Sequence, residues 1–272
     1  MVALIGIDCA TQPAKVGLAL GELDGEIIRI KACRTGSPRE EPAWIVSRWI
    51  EAYGPALLAL DAPLGWPRAM GAVLTGHQAG AGMGAAAHEL FRRQTDDAMY
   101  QRFRKRPLEV GANFISRTAV AALNLLEQLR CTTDQPIPLA WSPADLMHTA
   151  AIEVYPAATR LAHGSPGKGG SIEGLEPLLD LSALDEGLPA SDDAIDALVC
   201  VLAAADFIKG CARPPEDLAI AQQEGWIWTA EVWAPAHQGN GPRPAAALQP
   251  TCEPSRAPRG IAQVRPSSRD MA

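Results

Sequence analysis

The hydrophobic pattern opens with a strand. Residues 1–7 are apolar, and the run meets an acid in the order Gly6-Ile7-Asp8-Cys9-Ala10. Two more strand-like stretches follow, residues 15–23 and 26–34, joined by Asp24-Gly25, a dipeptide that favours a hairpin turn. Pro42 suits the first turn of a helix, where its missing N–H costs nothing. Ile45, Trp49 and Tyr53 then recur four apart and give residues 43–53 one apolar face, closed by Gly54-Pro55. Residues 57–60 read as a short buried strand that again meets an acid, in Asp61-Ala62-Pro63. Proline cannot continue a central strand, so Asp61 marks the strand's C-terminal end.

The pattern then weakens. Residues 66–83 are rich in Gly and Ala and read as a loop with a short helix at most; residues 88–105 are charged and read as a helix. Residues 107–113 interrupt it, and Ser116 caps a further helix to about residue 130. Residues 66–145 together read as a helical insertion on the sheet. Strand character returns over 150–155. Residues 164–171 form a flexible loop whose Gly167-Lys168 has the wrong spacing for a phosphate-binding P-loop. Ser191 caps a long helix to about residue 209, with Asp192 and Asp193 in its first turn. Residues 225–233 suggest a last strand. The order predicts an α/β domain over residues 1–233, with a mixed sheet (antiparallel meander, then parallel strands) flanked by helices. Residues 234–272 are rich in Pro, Ala, Ser and Arg without hydrophobic period and predict a disordered tail.

Composition narrows this picture. The chain has 272 residues, 47% of them hydrophobic, enough for a substantial core. Its net charge of −7 requires any nucleic acid to meet a local basic patch. The six cysteines form no C-x-x-C pair, which argues against a thiolate zinc site. The N-terminus has no signal-peptide character, and no stretch approaches the roughly 20 apolar residues of a membrane span. The expectation is a cytoplasmic protein with no membrane partner; the oligomeric state stays open.

The chemistry resides in the acids. Asp8 and Asp61 close two strands, Glu153 lies in a third, and Asp193 and Asp196 lie three apart on one helix face. Strand ends along one edge of an open sheet share a crevice. Crowded carboxylates repel, and a divalent cation removes that cost; hard oxygen donors select Mg²⁺ or Mn²⁺. Two such ions would activate water for phosphodiester cleavage. Each acid also has a plainer role: Asp8 and Asp61 as turn residues, Asp192 or Asp193 serving the helix dipole, Glu153 pairing with an arginine.

Gly6-Ile7-Asp8, Asp61-Ala62-Pro63-Leu64-Gly65, Glu153-Val154-Tyr155-Pro156 and Asp193-Ala194-Ile195-Asp196-Ala197-Leu198 resemble the motifs of domain-of-unknown-function family four-two-nine. Glu224-Gly225-Trp226-Ile227-Trp228 resembles its closing strand. That family is described as predicted nucleases with an RNase H-like fold, so the resemblance implies that fold over about residues 1–230. The Asp-x-x-Asp-Ala-Leu run also resembles the last helix of bacterial Holliday-junction resolvases. By that similarity Asp8, Asp61, Asp193 and Asp196 would be metal ligands, with Glu153 a further catalytic candidate. Asp61 departs from the resolvase pattern, which typically carries Glu there.

Phe91-Arg92-Arg93-Gln94-Thr95-Asp96 and residues 102–106 concentrate positive charge in an acidic protein. Arg92, Arg93 and Arg117 would hold backbone phosphates of DNA or RNA. Arg93-Gln94-Thr95-Asp96 also resembles an Arg-x-Thr-Asp element of the family, which adds Asp96 to the candidates. The plainer reading is a solvated helix whose arginines pair with its own acids. The leading expectation is a divalent-metal-dependent nuclease or phosphodiesterase working through a carboxylate-bound metal pair. One rival is an ATP phosphotransferase of the actin and sugar-kinase kind, but Asp61 is followed by Ala-Pro where a phosphate loop needs glycine. The other is a non-catalytic nucleic-acid-binding scaffold.

Overall fold

The computed structural model describes residues 2–111, 113–166, 169–184 and 187–231. The tail expected over 234–272 and the Gly167-Lys168 dipeptide lie outside them. The first three strands are β1 (Ala3–Asp8), β2 (Gly17–Asp24) and β3 (Ile27–Thr35). Helix α1 (Pro42–Tyr53) has Pro42 in its first turn, and β4 (Ala56–Asp61) follows. Then come α2 (Arg68–Leu74), α3 (Ala87–Phe91), α4 (Gln94–Phe103) and α5 (Asn113–Thr133). The chain continues with β5 (Ala150–Glu153), α6 (Pro156–Ala162), the two-residue β6 (Leu179–Asp180), α7 (Asp192–Ile208) and α8 (Leu218–Glu224).

Six strands form one sheet in the order β5-β4-β1-β2-β3-β6. The meander β1-β2-β3 is antiparallel, with Gly25 at a positive φ in the turn between β2 and β3. β4 pairs with β1, and β5 with β4, both parallel.

Side chains alternate across a strand, and here the alternation separates two cores. Ile5, Ile7, Leu18, Leu20, Leu58 and Leu60 pack against Val46 and Ile50 of α1 and Leu126 and Leu129 of α5. Leu4, Ala19, Leu57, Ala59 and Ile152 pack on the other face against α7. Thus α5, which lies in the stretch expected to be an insertion, supplies part of the layer over one face. α7 is buried along nearly its whole length, as a helix that is apolar almost all round must be.

Local departures from the sequence reading have physical causes. The helix expected over 88–105 is two helices, because Arg92 and Arg93 are both extended. Arg93 N–H donates to Asp96 Oδ2 at 2.9 Å, so the acid three residues on caps α4. Of the strand expected over 225–233, the described residues to 231 form isolated bridges instead, Glu153 to Ile227 and Ala212 to Ala230. Ile227 N–H instead donates to Thr95 Oγ1 at 2.8 Å.

Candidate active site at the ends of two parallel strands

Strand parity sets the site. Leu4, Gly6 and Asp8 share the α7 face of β1, as Leu57, Ala59 and Asp61 share that face of β4. The parallel register places Asp8 directly opposite Asp61. The first turns of α7 lie over them because glycine lets the backbones approach. A Cβ on Gly6 would stand 1.9 Å from the Ala197 carbonyl oxygen, and one on Gly17 would stand 1.8 Å from that of Asp193. This seating brings Asp193 and Asp196 to the strand ends.

The acids are felt in one another's ionisation. Burial, then the charges of Asp61, Asp196 and Asp193, push the Asp8 carboxyl well above the usual carboxylate range. Asp61 is pushed up by burial, then by Asp196 and Glu153. The Arg160 guanidinium opposes both shifts. Tyr155 stands near enough to Asp61 that burial and this charge push its hydroxyl up to about 12. The thiols of Cys9 and Cys200 are raised by burial and by Asp61 and Asp8, so both remain protonated and neither is an activated nucleophile.

Arg160 is the site residue that the sequence reading missed. Its side chain is 1% exposed, Nη2 donates to Asp196 Oδ1 at 2.5 Å, and Nε donates to the Ser171 carbonyl at 2.9 Å. Asp196 Oδ1 also accepts from Gly170 N–H at 3.2 Å. No sequence motif marks Arg160; it reaches Asp196 only because α6 packs beside α7.

Glu153, although its charge is felt by Asp61, lies on the other face of the sheet. It pairs in register with Leu60, the neighbour of Asp61 on the opposite face. Both its oxygens are engaged: Oε1 accepts from Arg93 Nη2 at 2.8 Å, and Oε2 accepts from Arg93 Nη1 and from Leu64 N–H, each at 2.9 Å. Arg93 also donates to Asp96 Oδ1 at 3.0 Å and to the Glu224 carbonyl at 3.2 Å. The side chains of Arg93, Glu153 and Asp96 are 1%, 3% and 0% exposed. Glu153, expected as catalytic, and Arg93 and Asp96, expected as substrate contacts, are thus buried and engaged with one another. Buried charges must be paired, and these three pair with each other to join β5 to the insertion.

The remaining basic residues lie outside this cluster. Arg92 is partly exposed and donates to Glu109 Oε1 at 2.8 Å. Arg106 pairs with Asp97 and lies over the Tyr100 ring. Arg102 donates to the Thr229 hydroxyl and the Ala230 carbonyl. Arg117 is exposed on α5.

The donor set at the strand ends is all carboxylate oxygen, which suits a hard divalent cation. Among the described residues, no group of three or more His, Cys, Asp or Glu side chains is placed to hold a metal ion. Asp8 and Asp61 would supply two ligands, while Asp196 is engaged by Arg160.

A meander followed by two parallel strands, in the order β3-β2-β1-β4-β5, with helices on both faces, defines an α/β fold of the RNase H-like class. The chain belongs to the family described as "Protein of unknown function (DUF429)", whose model matches residues 6–219. No curated protein matches it. Similar solved structures include RuvC of Thermus thermophilus, at TM-score 0.39 and 14% identity, covering 79% of this chain and 100% of that one. T. thermophilus RuvC in complex with Holliday junction substrate gives TM-score 0.38 and 15% identity, with the same coverage. The fold assignment rests on strand order and register. Among the described residues, no helix is long and apolar enough to cross a membrane.

Proposed function

We propose that this protein is a divalent-metal-dependent phosphodiesterase acting on nucleic acid, with Asp8 and Asp61 as its central metal ligands and Asp196 and Asp193 completing the site. The observation that carries this reading is the Asp8–Asp61 pair, in register on adjacent parallel strands, both raised in pKa first by burial and then by neighbouring carboxylates, Asp61 and Asp196 for Asp8 and Asp196 for Asp61. Keeping two half-buried carboxylates side by side destabilises a fold, and a bound cation explains why the arrangement is kept. Mg²⁺ or Mn²⁺ there supplies an activated water and neutralises charge developing on the phosphodiester. Asp8 and Asp61 orient the reacting centre from rigid strand ends. A metal pair, as distinct from one ion, requires Asp196 to leave Arg160. Arg117, exposed on α5, and Arg92, partly exposed and paired with Glu109, are the proposed contacts to backbone phosphate.

The kinase alternative loses support from the topology. The described residues contain one such sheet and no second glycine-rich phosphate loop after β4. The test is cleavage of labelled DNA and RNA with Mg²⁺ or Mn²⁺ by the wild-type chain and by Asp61→Asn. The proposal predicts metal-dependent cleavage that falls by about 10²–10³-fold or more in the variant, the loss typical of removing one strong electrostatic contributor. Equal cleavage by both proteins would refute it. ATP turnover without cleavage would favour the phosphotransferase, and binding without turnover the scaffold.

A further inference from the structure

Two arginines are buried among the described residues, and they are used differently. Arg93 is saturated: it meets both oxygens of Glu153 and both of Asp96, remote from the α7 face. Arg160 meets one oxygen of one carboxylate. It bonds Asp196, and its charge lowers the pKa of both Asp8 and Asp61, where Asp193 adds a further negative charge beside Asp8. Among the described residues, Asp196 Oδ2 accepts no hydrogen bond, and the Asp196 side chain is 22% exposed where that of Arg160 is 1% exposed.

We propose that Arg160 is an internal counter-cation of the acid site, pairing with Asp196 in the metal-free protein and giving up that carboxylate when a divalent ion binds. The proposal rests on the reading of the acids as a metal site. It accounts for the absence of a three-ligand group among the described residues, since the natural third ligand is taken. Arg160 thereby sets the affinity for the ion: a cation approaching these carboxylates meets a fixed positive charge in a poorly solvated place, where like charges repel strongly. Because α6 and the Ser171 carbonyl hold its stem, Arg160 stays beside the site after exchange and is available to a substrate phosphate.

The test is calorimetric titration of the full chain with Mn²⁺. Arg160→Gln is expected to bind Mn²⁺ roughly ten-fold more tightly than wild type, because a repelling unit charge has been removed. Arg160→Lys keeps the charge and is expected to stay near wild type. Folded Arg160→Gln with unchanged or weaker affinity would overturn the proposal, as would Arg160→Lys tightening equally. Should Arg160→Gln not fold, the wild-type chain gives the answer by NMR. Its Arg160 side-chain ¹⁵N signal is expected to shift as Mg²⁺ is added, and no shift at saturation would overturn the exchange. Asp61→Asn separates the two readings. If it abolishes Mn²⁺ binding, the metal site stands whatever Arg160 does. If neither wild type nor Arg160→Gln binds Mn²⁺, both readings fail.

Discussion

At the residue scale, the cost of the site is carried by Asp8 and Asp61. A carboxylate whose folded pKa is raised holds its proton more tightly folded than unfolded, so it favours the folded state least where it must ionise. Metal-free stability should therefore fall as pH rises from about 4, the unfolded carboxylate value, through the raised folded values. Asp8→Asn and Asp61→Asn should each raise the thermal midpoint in EDTA at neutral pH and flatten that slope, at roughly 2–4 °C per kcal/mol regained. Thermal unfolding between pH 4 and 9 measures this, and a lower midpoint for both variants would count against mutual repulsion. These two acids were legible in the sequence because each ends an apolar run. Glu153 misled because it too lies in a short apolar strand, and only the register shows that it faces the other way. Arg160 was invisible, since a buried arginine on a short helix carries no local pattern until its partner helix is placed.

At the element scale, α7 is seated by glycine. Gly6 and Gly17 face backbone atoms, which cannot swing aside as a flexible side chain would. Gly6→Ala and Gly17→Ala should each destabilise by about 1–3 kcal/mol or more, read by chemical denaturation. Wild-type stability in either would mean that α7 does not lie so close. Arg93 joins the insertion to β5, and Arg93→Met leaves Glu153 and Asp96 buried without it. A loss of about 3–5 kcal/mol is expected, against little change in Arg92→Ala at the surface.

A third contact links α6 to α7, where His163 Nε2 lies 2.8 Å from Asp206 Oδ2. Burial pulls the His163 pKa down, but the Asp206 hydrogen bond and charge outweigh it and the net shift is upward. The stabilisation is then complete below the unfolded histidine value of about 6.5 and lost as pH rises through the folded one. His163→Gln should remove this dependence, on the order of 1 kcal/mol, leaving stability at alkaline pH nearly unchanged.

At the scale of the whole molecule, the element order in the sequence was enough for the fold class, because a strand meander followed by helix, strand and crossover admits few topologies. What the order does not contain is the third dimension of the insertion. α5 packs over the sheet beside α1, and the Arg93 cluster closes the far side. The basic stretch changed meaning for the same reason: much of its charge is spent on internal pairs, Arg92 with Glu109, Arg93 with Asp96 and Arg106 with Asp97, and the proposed phosphate contacts are the partly exposed Arg92 and the exposed Arg117. Their joint replacement by alanine should weaken nucleic-acid binding and lessen its salt dependence without altering the unfolding midpoint, as read by fluorescence anisotropy across a salt series.

The central claim is that Asp8 and Asp61 together hold a divalent cation. Anomalous diffraction from crystals soaked in Mn²⁺ tests it most directly. The account predicts a peak at metal–oxygen contact, about 2 Å, from both carboxylates, absent in Asp61→Asn. A wild-type map with no peak between those two side chains at saturating Mn²⁺ would contradict it.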